Sequence, residues 1–267
     1  MPGVKHIIAI ASGKGGVGKS TTAANIAVGL AALGLKVGVL DADIYGPSMP
    51  RLFGITTKPE VSDDNQLVPI QAHGVKVISI GLLVDEDTPM VWRGPMVMSA
   101  LTQLLREVEW APLDVLVVDM PPGTGDTQLT MSQNVPLSGA VIVSTPQDLA
   151  LLDARRGISM FERVHVPILG VVENMSYFVC PKCGERTEIF AHGGAKKEAE
   201  KQNVPFLGAI PLDMEIRELS DGGRPVVAAA PQSPHAQAYM AVARAVAAML
   251  EPGGASARKA PLFVVEN

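Results

Sequence analysis

Eight residues near the N-terminus, Gly13-Lys14-Gly15-Gly16-Val17-Gly18-Lys19-Ser20, constrain the fold of this 267-residue chain more than any other segment. They separate an aliphatic run, residues 4–11, from a stretch of helical character, residues 20–33. Four glycines among six positions exclude regular structure between them, so the backbone turns sharply from strand into helix. The rest of the chain repeats that alternation. Aliphatic runs at 36–41, 114–119, 139–145, 168–172 and 206–210 are interleaved with helical stretches at 95–108, 127–134, 149–164 and 195–203. The runs are continuous rather than alternating, as in strands covered on both faces. The predicted architecture is α/β, a mostly parallel β-sheet flanked by helices on both faces.

Smaller features refine this reading. Residues 66–70 and 75–80 flank Ala72-His73-Gly74 and read as a hairpin inserted in a crossover. Ser233 and Pro234 open a last helix whose apolar residues recur on one face from Ala236 to Leu250. The simplest division is one domain, residues 1–251, and a flexible tail, 252–267, whose apolar patch at 261–265 reads as a frayed terminus or a docking peptide. Apolar residues make up 47% and charged residues 18%, which excludes disorder, and 4% aromatics demand an aliphatic core. A net charge of −5 argues against a nucleic-acid partner. Without a long apolar stretch no membrane partner is expected, and the short N-terminal run is no signal peptide, which predicts a cytoplasmic protein.

The glycine turn matches G-x-x-x-x-G-K-[ST] in the strand-to-helix setting that makes this pattern a phosphate-binding loop. Its backbone N–H groups and the helix N-terminus suit phosphate oxygens. Lys19 is expected to reach the β- and γ-phosphates of a nucleotide, and Ser20 to hold Mg²⁺. Gly13 through Thr21 are therefore the predicted nucleotide-binding run. Asp41 and Asp43 close the second aliphatic run, where parallel sheets place ligand sites. Asp43 is expected to orient an attacking water and Asp41 to support the metal's water shell. Asp119, after four aliphatic residues, reads as the Mg²⁺-side aspartate of such sites. The following Pro121-Pro122-Gly123 run is stiff, with a hinge at Gly123, and Asp126 is read as the cap of the next helix. Asn174 and the Pro211-Leu212-Asp213 segment follow two further strands, on the same side of the sheet.

The chain has two cysteines, Cys180 and Cys183, in Cys180-Pro181-Lys182-Cys183-Gly184. A [4Fe–4S] cluster or a structural zinc needs about four ligands. Either other residues complete the set, or two chains contribute two thiolates each around a two-fold axis. A thiol–disulfide switch is a third reading.

The lysine at position 14 makes the loop resemble those of the deviant P-loop ATPases, the group of MinD, ParA, ArsA and the nitrogenase iron protein. Asp41-Ala42-Asp43-Ile44-Tyr45-Gly46-Pro47-Ser48, Trp92-Arg93-Gly94-Pro95-Met96, Asp119 to Asp126, Glu173-Asn174-Met175-Ser176 and the C-x-x-C segment together closely resemble the Mrp/ApbC family of iron–sulfur cluster carriers, over residues 4 to about 250. The resemblance implies a P-loop NTPase fold and a nucleotide-sandwich homodimer in which Lys14 reaches the partner's ATP. It implies Lys14 and Lys19 as phosphate lysines, Asp43 as hydrolytic switch, and base contacts at Asn174, Pro211 and Asp213. It also implies a [4Fe–4S] cluster bridging two Cys180/Cys183 pairs, received from cluster donors and passed to apo-proteins under control of ATP. The N-terminal extensions that many relatives carry are not seen in this sequence. A MinD- or ParA-like spatial regulator is the alternative, but it calls for a basic amphipathic helix or basic surface. The last helix offers mainly Arg244, and the tail Arg258 and Lys259. A nucleotide-gated scaffold without turnover is the softer alternative.

Overall fold

The computed structural model describes residues 1–83 and 94–251. Trp92 and Arg93 of the predicted motif, and the tail at 252–267, lie outside the described residues. The strands are β1 (Val4–Ala11), β2 (Val37–Asp41), β3 (Ile70–Ala72), β4 (Val75–Ser79), β5 (Leu113–Asp119), β6 (Gly139–Ser144), β7 (Ile168–Glu173), β8 (Phe178–Val179), β9 (Arg186–Thr187) and β10 (Phe206–Ala209). The helices are α1 (Lys19–Ala32), α2 (Met49–Leu52), α3 (Gly94–Arg106), α4 (Asp126–Asn134), α5 (Asp148–Arg163), α6 (Gly194–Lys201), α7 (Met214–Asp221), α8 (Val226–Ala229) and α9 (Pro234–Leu250).

The main sheet has the order β10-β7-β6-β1-β5-β2-β4-β3, and every pairing is parallel except β3 against β4. Strand residues alternate between two apolar layers. Ile8 and Ile10 of β1 join Val39, Val115 and Val117 in one layer, packed with Ile26 and Leu30 of α1 and Tyr239 and Val246 of α9. Ile7, Ala9 and Ala11 join Leu40, Leu116 and Val118 in the other, packed with Leu101 and Leu104 of α3 and Ile158 and Phe161 of α5. Each large aliphatic side chain so buried contributes about 1.5–3 kcal/mol. Both faces of the central strands are covered, which is why their sequences lack polar alternation.

Register matters most at the C-terminal ends. β5 lies between β1 and β2, with Ile10 opposite Asp119 and Asp41 opposite Asp119. Two aspartates far apart in sequence are thereby neighbours beside the turn that leaves β1.

Several expectations are corrected. The first hairpin arm is Ile70–Ala72 rather than 66–70, because Leu67 pairs instead with the segment after α3, through Leu67 N–H to Glu107 O (2.8 Å) and Glu109 N–H to Leu67 O (3.0 Å). The second arm is more than half of a hairpin, since β4 also pairs in parallel with β2 and extends the main sheet. Asp126 is the first residue of α4 and not its cap; Gly125 holds the cap position without a side-chain bond. The acid still sits at the positive end of the helix, where its charge is favourable. Ser233 does cap α9, accepting from the Ala236 N–H at 3.1 Å. Among the described residues no helix is long and apolar enough to cross a membrane.

Candidate functional site

Between β1 and α1 the chain wraps a cavity of about 240 Å³. Lys14, Gly15, Gly16, Gly18, Lys19, Ser20 and Thr21 line it from the turn; Asp43, Gly46 and Ser48 line it from the segment after β2, and Pro122 from the segment after β5. Gly18 has φ +76°, and a Cβ there would lie 2.2 Å from Asn174 Nδ2, so both conformation and space require glycine. Gly13 is required by packing alone: a Cβ would lie 2.1 Å from the carbonyl oxygen of Asp153 in α5. Gly13 and Val17 thus hold the turn against the body of the protein rather than line the cavity.

Lys19 is the first residue of α1 and is only 6% exposed. Its Nζ donates to Asp119 Oδ1 at 2.6 Å and to Ser20 Oγ at 3.3 Å. Asp119 is fully buried, and its second oxygen, Oδ2, has no hydrogen-bond partner. Burial pushes the Asp119 carboxyl above the usual range, and Lys19 opposes that shift. A buried carboxylate oxygen without a partner is costly unless a ligand completes it. An oxygen donor beside Ser20 fits Mg²⁺, which takes oxygen ligands and keeps several waters. Among the described residues Lys14 has no ion pair, so its charge is available to an anion.

Asp41 and Asp43 differ. Asp43 lines the cavity, and burial raises its carboxyl, against the pull of Lys19. Asp41 is not among the lining residues. Its Oδ2 accepts from Ser48 N–H, Met49 N–H and Ser79 Oγ, each at 3.0 Å, and its Oδ1 from Asp43 N–H at 3.2 Å. Asp41 therefore shapes the loop that carries Asp43 and Ser48. Burial, then the charge of Asp119, pushes its carboxyl up to about 7. Past β5, Gly123 (φ +97°) ties its N–H to Ser12 O at 3.0 Å, joining the Pro121–Pro122 loop to the base of the glycine turn.

Asn174 lies behind the turn, with Nδ2 donating to Val17 O at 2.8 Å. Asp213 caps α7, accepting from Glu215 N–H at 2.7 Å, and its other oxygen lies 3.5 Å from His235 Nε2. Neither these two residues nor Pro211 lines the cavity.

The thiols sit on a small hairpin of β8 and β9, where Phe178 faces Thr187. Cys180 N–H donates to Glu185 O (2.9 Å) and Gly184 N–H to Cys180 O (2.8 Å), closing a tight turn over Pro181–Gly184 with Gly184 at φ +73°. The N–H of Cys183, then that of Lys182, aims at the Cys180 sulfur and lowers its pKa, which favours thiolate. Cys183 is exposed and Cys180 half-buried. The Arg186 guanidinium stacks 3.9 Å over the Tyr177 ring and stiffens the hairpin base. Among the described residues one group of three metal-type ligands exists, Asp213, Glu215 and His235, and it includes neither thiol. Within one chain the described residues thus offer the cysteine pair no third ligand.

One site residue escaped the sequence reading as a functional group. Glu173 ends β7 at 1% exposure and accepts from Ser176 Oγ (2.5 Å), Ala195 N–H (2.7 Å) and Gly193 N–H (3.3 Å). An acid closing an aliphatic strand was the signal, the same one that marked Asp119.

A glycine turn that delivers a buried lysine to a strand-end aspartate, at the C-terminal edge of a parallel sheet, defines a P-loop nucleoside triphosphatase. The particular branch follows from comparison. The chain belongs to the ParA group's NUBPL iron-transfer P-loop NTPase family, whose model matches residues 3–247. It is 57% identical over 242 residues to an iron-sulfur cluster carrier protein of Pseudomonas fragi, covering 90% of this chain and 84% of that protein. Among solved structures it resembles a nucleotide-binding protein in complex with ADP from Archaeoglobus fulgidus, with 43% identity, TM-score 0.76, and 88% and 91% of the two chains covered. The cell division ATPase MinD of Pyrococcus furiosus shares the fold at TM-score 0.69 over 91% and 98% of the chains, but at 25% identity. The chain stands with the iron–sulfur carriers, and the spatial-regulator alternative gives way.

Proposed function

We propose that this chain binds Mg·ATP in the glycine-turn cavity, hydrolyses it, and uses the nucleotide to control an iron–sulfur cluster held between two copies and handed to apo-proteins. Its ATPase domain is residues 1–251, and it works in a reducing compartment such as the cytosol, where the thiols stay free. The observation that carries this reading is the cysteine pair on its exposed hairpin, poised toward thiolate and without a third ligand among the described residues. A four-ligand cluster is completed when a second chain brings its own pair. The cluster is cargo, with [4Fe–4S] the form that matches four thiolates.

At the nucleotide, Ser20 Oγ and Asp119 Oδ2 would hold Mg²⁺, which supplies charge neutralisation at the β- and γ-phosphate oxygens. Lys19 exchanges Asp119 for phosphate, one anion for another, so its charge stays compensated while the site fills. Lys14, without an ion pair among the described residues, serves the partner's nucleotide. Asp43 orients the attacking water. Asn174, Pro211 and Asp213 are the base-side residues.

Anaerobic loading tests the cargo reading. Iron and sulfide analysis should give about four irons per two chains, and Cys180→Ala or Cys183→Ala should abolish loading while Mg·ATP still binds. A cluster retained in either variant refutes the ligand assignment. Lys19→Gln, which removes the charge but retains an amide N–H donor on a slightly shorter side chain, should lose Mg·ATP affinity by calorimetry; unchanged affinity refutes the cavity assignment.

A further inference from the structure

The geometry points to the end of β7, Glu173 to Ser176, as a lever that couples the phosphate turn to the thiol hairpin inside a single chain, with Glu173 and Asn174 as positioning residues. The inference rests on the reading of these two places as nucleotide and cluster sites, and says how one acts on the other.

Four consecutive residues carry it. Asn174 grips the turn from behind: its Nδ2 donates to Val17 O at 2.8 Å, and it fills the space a Cβ on Gly18 would need. The Val17–Gly18 backbone cannot rearrange around an arriving phosphate without displacing that amide. Glu173, the preceding residue, closes the segment bearing both thiols at its two ends. Ser176 Oγ donates to one carboxylate oxygen at the start of the segment, and Gly193 N–H and Ala195 N–H donate to the carboxylate at its finish. Gly193 and Ala195 stand at the N-terminus of α6, so the same carboxylate also satisfies orphan donors of that helix. Ser176 N–H bonds Ile210 O, and Leu212 N–H bonds Tyr177 O, which fixes the hairpin's root to the strand-end segment after β10. Between the two grips Met175 is held at φ +54°, a left-handed conformation that a methionine rarely adopts. Only five residues separate Asn174 from Cys180. Strain of this kind persists where the surroundings over-determine it, and it is a place where a small displacement tips the backbone between two arrangements.

The test needs no cluster. In cluster-free protein, the iodoacetamide alkylation rates of Cys180 and Cys183 are measured by mass spectrometry with and without saturating Mg·ATP. In the wild type the nucleotide should change the rates by about fivefold or more. Glu173→Gln puts an amide N–H where Ala195 N–H needs an acceptor and frees the α6 end of the thiol-bearing segment. Met175→Gly removes the left-handed constraint without removing a hydrogen-bond partner. In both, the nucleotide effect should collapse while Mg·ATP affinity and the circular dichroism spectrum are kept. If Glu173→Gln does not fold, Met175→Gly decides. Wild-type rates indifferent to Mg·ATP overturn the inference. So does a nucleotide effect that survives in the variants, because the coupling then runs through subunit burial and not this segment. A nucleotide effect that the variants abolish, in a protein that never loads iron, leaves the lever standing and brings down the cargo reading instead.

Discussion

Cys180 shows how much a few backbone N–H groups accomplish for a thiol. The N–H groups of Cys183 and Lys182 stabilise the sulfur anion and hold its pKa below the usual thiol value of 9.0. A thiol with a lowered pKa keeps its reactive, ligating form at lower pH. In cluster-free protein the alkylation rate of Cys180 should therefore rise through a midpoint below 9.0 in a pH series followed by mass spectrometry. A midpoint at or above that value would remove the argument that the turn itself prepares the metal ligand. Lys19 makes the complementary point for a cation, being stored on Asp119 within a buried pair. Removing one member of such a pair strands the other, at a cost of about 3–5 kcal/mol. A substitution there needs a replacement donor if binding is to be separated from stability.

Among the elements, the glycine turn carries two separable demands. Gly13 is excluded from substitution by the α5 backbone, whereas Gly16 has open space around it and only its φ of +80°. Gly13→Ala overpacks a rigid contact and should cost about 3 kcal/mol in urea unfolding, while Gly16→Ala should cost about 1–2 kcal/mol, the left-handed penalty alone. Equal losses would mean that the close packing of Gly13 on α5 is not what holds the turn. The same scale explains what was illegible. Six parallel strands agree with the aliphatic runs to within two residues, because a continuous aliphatic run closed by turn residues has few alternatives in a parallel sheet. The α2 and α8 helices are four residues each, and β8 and β9 two each, too short to display any period. The eight-residue α7 is little more legible: its N-cap, Asp213, also fits the pattern of a ligand contact, and two turns display hardly more than one period.

Across the whole molecule, sheet order places Asp41 beside Asp119 and so creates a pH dependence. The Asp41 carboxyl, raised to about 7 by burial and then by Asp119, holds its proton more tightly in the folded chain than in the unfolded one. The stability this proton contributes is complete below the ordinary value of 3.8 and is lost as pH rises through about 7. The Tm of the nucleotide-free chain should therefore fall from about pH 4 to about pH 7 and level off above that. Asp119→Asn, which leaves an oxygen for Lys19, should move that fall to lower pH. A wild-type Tm flat over this range, or a step unmoved in the variant, would contradict the coupling of the two carboxyls.

Sequence alone determined the alternation of strands and helices, the phosphate turn with its two lysines, the strand-end acids and the two thiols. Each of these is a local pattern, written in neighbouring residues and enforced by backbone conformation or side-chain period. Tertiary structure decided which of those residues meet. It set Asp41 to hold a loop and left Asp43 in the cavity. It turned Asn174 onto the back of the phosphate turn, and it gave Glu173 both ends of the thiol hairpin. Those outcomes depend on the order and register of parallel strands, in which each partner is supplied by a distant part of the chain, so no local pattern records them.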